Sequence, residues 1–201
     1  ISVPLTVRMI INRGGEQGAQ HSQALHAWFA HVPGLRVVMP ATPADARDLL
    51  IASVLSDDPV MYIDDRWLYE TEEELGQVET VDLRDVHPRV RREGSDITLT
   101  GLGYMTQVCL QAAEELASLG YSAEEIDLLS VSPMDDETIL ESVKKTRKIV
   151  IVDEDYPRCS VASDISALVA ELAFDYLDAP PRRVTAPHTP VPYTMPLENL
   201  Y

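Results

Sequence analysis

The sequence predicts an α/β fold built as two three-layer units with parallel-type sheets. Three observations predict it. Short apolar runs at Leu35–Met39, Val60–Ile63, Ile97–Thr100 and Ile149–Val152 have the length and β-branched content of buried strands. Longer segments between them carry apolar residues at helical spacing, and strands alternating with helices make parallel sheets. That alternation lapses once, between Tyr69 and Gly94, and so divides the chain in two.

The first unit opens on an alternating strand, Val3 to Ile11, followed by a Gly-containing loop from Asn12 to Gln20. A helix is predicted from about His21 to His31, with Leu25, Trp28 and Phe29 on its apolar stripe. Pro33-Gly34 breaks it and returns the chain to the strand at Leu35. Thr42-Pro43-Ala44-Asp45 supplies an N-cap, a proline at the first helical position and an acid closing the capping box. The helix it opens carries Leu49, Leu50, Ser53 and Val54 and stops at Asp57-Asp58-Pro59, before the strand at Val60.

Residues 70–93 hold an acidic run (Glu70, Glu72, Glu73, Glu74) and a basic cluster (Arg89, Arg91, Arg92) without sustained apolar periodicity. They are expected to be a solvated linker between units at 1–69 and 94–201. The second unit begins with the strand at Ile97 and the turn Gly101-Leu102-Gly103. A helix from Thr106 to Leu119 follows, closed by Gly120. Glu124 to Ser130 reads as a strand and Pro133-Met134-Asp135 as the start of a helix through Ile139, Leu140 and Val143. The strand at Ile149, a helix over about Val161 to Phe174 and a short strand Arg183-Val184-Thr185 complete the unit. Pro187, Pro190, Pro192 and Pro196 forbid a continuing helix in the tail.

With 16 Lys and Arg against 33 Asp and Glu, the 201 residues carry a formal charge of −17. That charge repels phosphate backbones and anionic lipid, so no nucleic acid and no membrane partner is expected. No apolar run approaches the roughly 20 residues that span a bilayer. Cys109 and Cys159 form no Cys-x-x-Cys pair and are expected to be packing residues in a reducing, cytoplasmic setting. Ile1 enters directly on the first strand and Tyr201 follows Leu200 without a tail. Both ends are therefore expected to be cut, which leaves a mitochondrial matrix origin open.

Gly101-x-Gly103 lacks the third glycine and the distal acid of a dinucleotide fingerprint and reads as a turn. His21 is the best candidate for chemistry. A loop histidine near a helix start serves either as a cap or packing residue or as an acid–base group. Its neighbours Gln20, Ser22 and Gln23 are hydrogen-bonding side chains that suit an imidazole held for proton transfer. His26 and His31 read as helix-surface or helix-end residues. The end of the helix at Ser56 presents carbonyls without donors at the negative end of its dipole. It is either a plain helix stop or a place to gather a monovalent cation.

The run Ala19-Gln20-His21-Ser22-Gln23, then His31 and Pro33-Gly34-Leu35-x-Val37-Val38-x-Pro40, resembles the beta subunit of thiamine-diphosphate-dependent 2-oxo acid dehydrogenases. The likeness continues through Thr42-Pro43-x-Asp45-Ala46, Asp57-Asp58-Pro59-Val60, Pro133-Met134-Asp135-x-Glu137-Thr138-Ile139, Leu177-Asp178-Ala179-Pro180 and Pro190-x-Pro192-Tyr193. It implies part of a pyrimidine-binding domain at 1–69 and a transketolase C-terminal-like domain at 94–201. It implies oxidative decarboxylation of a 2-oxo acid with acyl transfer to a lipoyl group. The partners implied are an alpha subunit in an α2β2 heterotetramer and a lipoyl acyltransferase core. The cofactor implied is thiamine diphosphate with magnesium, held between subunits.

By position, the resemblance makes His21 the active-site histidine. It places potassium against the main-chain carbonyls of Leu5, Ser53, Val54, Ser56 and Asp58, and docking of the acyltransferase core at Asp178. The family's cofactor-activating glutamate would lie upstream of Ile1, so this chain alone is expected to be inactive. Arg158-Cys159-Ser160 replaces the family's glycine-rich turn. The alternatives are a fragment of a transketolase or deoxyxylulose-phosphate synthase, whose sugar-phosphate substrates call for more basic residues than Arg13, and a non-catalytic assembly module.

Overall fold

The computed structural model describes residues 2–79 and 82–201. In chain order the elements are β1 (Thr6–Ile11), α1 (Gly18–His21), α2 (His26–Ala30), β2 (Arg36–Val38), α3 (Pro43–Leu55), β3 (Val60–Asp65), β4 (Arg89–Arg92) and β5 (Ile97–Gly101). They continue as α4 (Tyr104–Ser118), β6 (Ala123–Asp127), β7 (Ser130–Ser132), α5 (Asp136–Thr146), β8 (Ile149–Asp153), α6 (Val161–Leu172), β9 (Arg182–Thr185) and α7 (Met195–Glu198).

One sheet has the order β1-β3-β2-β7 and the other β4-β6-β5-β8-β9. Parallel pairing links β1, β2 and β3 in the first sheet and β6, β5, β8 and β9 in the second. The inner strands of both sheets are covered on two faces, as buried parallel strands require, while the edge strands β1 and β9 are largely exposed. Along β8, Ile149 and Ile151 turn to the cluster that holds Ile139 and Ile165 of α5 and α6, while Val150 and Val152 pack against the cluster under α4. The first sheet alternates likewise: Val38, Val60 and Tyr62 meet Leu49 and Ala52 of α3, and Val37, Met61 and Ile63 enter the larger cluster. That larger cluster spans both halves of the chain, so the two sheets share one core.

Four expectations are corrected. The helix expected over 21–31 is two short pieces, because the Gln23 amide donates to the Ala19 carbonyl at 2.8 Å and ends α1 after one turn. On α2 Phe29 packs against the core as expected, but His26 and Ala27 are buried with it and Trp28 is 69% exposed. Residues 70–93 are more than a solvated linker, because Leu83 is buried under α3 and Arg89–Arg92 form β4, the antiparallel edge of the second sheet. β7, from the second half of the sequence, pairs antiparallel with β2 and ties the two halves together.

Buried charge fastens the same junction. The Thr42 hydroxyl caps α3 by accepting from Asp45 N at 3.1 Å, and it donates to the buried Asp45 carboxylate at 2.7 Å. Arg89 binds that carboxylate at 2.7 Å, and Arg91 bridges it to the buried Asp127 of β6, at 2.8 Å on the Asp127 side. The basic cluster that looked solvated therefore neutralises acids of both units. β6 itself is buried along its whole length although it reads Ala-Glu-Glu-Ile-Asp. Glu124 is paired with Lys145, while both oxygens of Glu125 lack a hydrogen-bond partner. Burial, reinforced by Asp127, pushes the Glu125 carboxyl up to about 9.

Candidate active site

β1 ends at Ile11 and releases a loop that turns into α1 through Gly18, whose φ of +63° suits glycine. His21 is the last residue of that single turn and is exposed. It faces an open cavity of about 390 Å³ lined also by Glu16, Gln17, Gln20, Val191 and Tyr193. An exposed imidazole with amide neighbours on a cavity of this size can give or take a proton at a small bound molecule. Gln23, expected beside it, instead accepts a hydrogen bond from the Tyr156 hydroxyl. Ser22 is buried and Gln20 exposed.

Behind this loop lies a set of buried ionisable groups at the C-terminal ends of β3 and β8. His26 is fully enclosed, its Nε2 3.0 Å from Asp153 Oδ1. Burial works against the charge on His26, but the Asp153 carboxylate prevails and raises its pKa above the ordinary value. Burial likewise opposes ionisation of Asp153, yet His26 and the N–H groups of Asp155 and Ala162 hold it low. Reading His26 as a helix-surface residue is thus corrected: it stands at the start of α2 but is buried against Asp153 under the His21 loop. Alongside, burial and the neighbouring Asp65 carboxylate hold the Glu154 carboxyl well above the ordinary carboxylate range, with Arg13 3.5 Å from Glu154. Asp65 accepts from Trp67 N at 2.8 Å, and the Trp67 indole donates to the Arg13 carbonyl at 2.6 Å.

Leu5, Ser53, Val54, Ser56 and Asp58 gather where α3 ends beside the start of β1. Thr6 Oγ1 donates to the Ser53 carbonyl at 2.9 Å, and Val60 N to the Leu5 carbonyl at 2.8 Å. The Ser53 carbonyl also accepts from Ser56 N at 3.3 Å, which fills both of its lone pairs. Ser53 therefore does not fit a cation ligand, whereas the other four carbonyls have acceptor capacity. The Ser56 hydroxyl accepts from Asp58 N at 3.1 Å. Asp178, in the loop before β9, is held by Arg147 through contacts of 2.7 and 2.9 Å. Of the two cysteines, Cys109 is buried as expected and Cys159 is exposed.

Sequence reasoning missed His26, Tyr156, Tyr193 and Glu198 as parts of this site. The tail folds into a further turn, α7, with Pro196 just inside its start, where proline's fixed φ and missing N–H are tolerated, so the expectation that Pro196 forbids a helix there is corrected. The other contacts join residues more than a hundred positions apart.

The pyrimidine-binding domain model of transketolase matches residues 1–71 and the transketolase C-terminal domain model residues 86–201. The chain belongs to the transketolase family. Among curated relatives, it is 44% identical over 200 residues to the acetoin:2,6-dichlorophenolindophenol oxidoreductase subunit beta of Bacillus subtilis (strain 168), covering 99% of this chain and 58% of that one. It is 44% identical over 186 residues to the mitochondrial pyruvate dehydrogenase E1 component subunit beta of Dictyostelium discoideum, covering 90% and 52%. To the pyruvate dehydrogenase E1 component subunit beta of Rhizobium meliloti (strain 1021) it is 40% identical, covering 100% and 44%. A solved structure titled split gene transketolase, inactive beta4 tetramer, superposes with a TM-score of 0.74 at 24% identity, covering 100% of this chain and 62% of that one, which shows the shared fold. This transketolase-family chain spans about half the length of the curated relatives it matches. Among the described residues, no helix is long and apolar enough to cross a membrane.

Proposed function

We propose that this chain is part of the beta subunit of the decarboxylating component of a 2-oxo acid dehydrogenase complex. The observation that carries the reading is His21, which stands on the rim of an open cavity within a sequence motif that resembles that of such subunits. Thiamine diphosphate, when bound, supplies the carbon nucleophile that makes loss of carbon dioxide from a 2-oxo acid accessible. The residues here fit one side of that cofactor. His21 and the rim around it suit the reacting end. The diphosphate end is assigned, by the resemblance to such beta subunits, to an alpha subunit, with the cofactor between the two chains of an α2β2 assembly.

In this reading His21 carries a proton to and from the oxygen that begins as the substrate's 2-oxo group, before the acyl unit leaves for the lipoyl group of an acyltransferase core. Docking of that core uses the surface around Asp178, whose charge Arg147 already holds in a fixed orientation. A potassium ion at the end of α3 takes carbonyls from Leu5, Val54, Ser56 and Asp58 and leaves Ser53 to Thr6. The domain division is 1–69 and 94–201, with Leu83 of the intervening stretch packed on the first unit and β4 added to the sheet of the second.

A second reading, acetoin cleavage by the same site, is supported by 44% and 42% identity to acetoin oxidoreductase beta subunits over nearly the whole chain, a likeness as high as that to pyruvate dehydrogenase beta subunits. Reconstitution of the complete subunit with its alpha partner decides between them. Acylation of a lipoyl domain from pyruvate or a branched-chain 2-oxo acid supports the first reading, and turnover of acetoin alone supports the second. Ketol transfer between sugar phosphates, with neither of these, refutes both.

A further inference from the structure

We propose that the C-terminal segment, residues 190–201, is a clasp that positions His21, with Glu16 and Glu198 as its positioning residues. The inference rests on the reading of His21 as the proton carrier and adds what holds it. Glu16 is bound twice by the tail. Its N–H donates to Glu198 Oε2 at 2.9 Å, and its own Oε1 accepts from Met195 N at 2.9 Å. Glu198 is only 9% exposed, so the Glu198 side of the first contact is shielded, while Glu16 itself lies at the surface.

The loop needs such a hold. Glu16 has a φ of +53°, a left-handed conformation that a side chain with a Cβ resists. Two residues on, Gly18 begins the turn that ends in His21, and Tyr193 Cδ2 lies 3.0 Å from where a Cβ on Gly18 would stand. The tail thus fixes the start of the turn, packs on its first residue and lines the cavity its last residue faces. The far side is anchored separately: Gln23 bonds back to Ala19 and receives the Tyr156 hydroxyl, and the Tyr156 ring meets His188 edge-on at 5.7 Å. His21 sits between two anchors that both come from the second half of the chain. Proton transfer depends steeply on placement, and a 1 Å displacement can cost about a hundredfold.

The test uses the complete subunit reconstituted with its alpha partner, with rates taken per assembled complex. Glu198→Ala and, as a second probe at the exposed partner, Glu16→Ala are expected to lower kcat by about 10-fold with KM changed less than about twofold, because the loss falls on the positioned proton carrier. Glu198→Gln and Glu16→Gln should restore most of the rate, since an amide oxygen accepts the same N–H. Backbone amides of residues 16–22 should exchange hydrogen roughly 10-fold faster in Glu198→Ala and not in Glu198→Gln. In a His21→Ala background, Glu198→Ala should add less than about twofold, as a residue acting through His21 must. If His21→Ala is slow but Glu198→Ala is silent, or costs as much with His21 as without it, the clasp is refuted while the reading of His21 stands. Wild-type turnover in His21→Ala refutes the reading of His21 and the positioning role with it.

Discussion

Glu125→Gln is expected to stabilise the folded chain, by an amount that grows with pH. Glu125 lies in the middle of β6, fully buried, with neither oxygen hydrogen-bonded. Burial and the nearby Asp127 raise its carboxyl from the ordinary 4.5 to about 9, against the partial relief of Arg91. For an acid whose folded pKa is raised, stability is fully present below the unfolded value and is lost as pH climbs toward the folded one. Between about pH 5 and 9 the wild-type chain therefore loses about 1.4 kcal/mol per pH unit on this account, which comes to about 3 kcal/mol at pH 7. Glutamine keeps the shape and removes the titration. Urea unfolding of both proteins at several pH values should give nearly equal stabilities at pH 5 and an advantage for the variant at pH 8. An advantage that does not change with pH, or a variant less stable at pH 8, would refute the argument that Glu125 folds neutral.

The opposite sign is expected at the junction of the two sheets. Arg91→Ala leaves the buried Asp45 and Asp127 without their shared partner and should cost about 3 kcal/mol, moderated because Arg89 still holds Asp45. That corresponds to a fall in melting temperature of roughly 6–12 °C for a chain of this size. A loss under about 1 kcal/mol would mean that the bridge does not carry the junction. At the end of α3, Ser56→Ala removes the acceptor for Asp58 N and should cost about 1 kcal/mol, equally in potassium and in sodium. A loss seen only in potassium would make the hydroxyl itself an ion ligand.

Local chemistry was legible where one residue's preference settles the matter. Thr42-Pro43-x-Asp45 announced α3 and its cap, Gly120 closed α4 with a φ of +88°, and the β-branched runs at Val60 and Ile149 became central strands. The helix expected at 21–31 failed because the spacing of Leu25, Trp28 and Phe29 looks helical, whereas a side-chain amide four residues along the chain competes for the Ala19 carbonyl. The buried acids of β6 were unreadable for a different reason. Their cations, Arg91 and Lys145, lie 36 and 21 residues from the acids they pair with, and nothing local distinguishes Glu124 and Glu125 from a solvated pair. His21 stood out by its polar neighbours, but the tail that grips its loop lies about 180 residues further on.

The central claim is that His21 moves the proton at the substrate oxygen, and it is tested most directly by acyl transfer to a lipoyl domain in the reconstituted complex. His21→Ala should cut turnover by roughly 10²- to 10⁴-fold, the range for a positioned acid or base. His21→Gln should recover little, because an amide cannot exchange the proton, and His31→Ala should cost far less. His31 lies just past the end of α2, lining a separate cavity with Cys159 and Asp164. Turnover near the wild-type rate in His21→Ala would contradict the account and leave His21 as a surface residue of the loop.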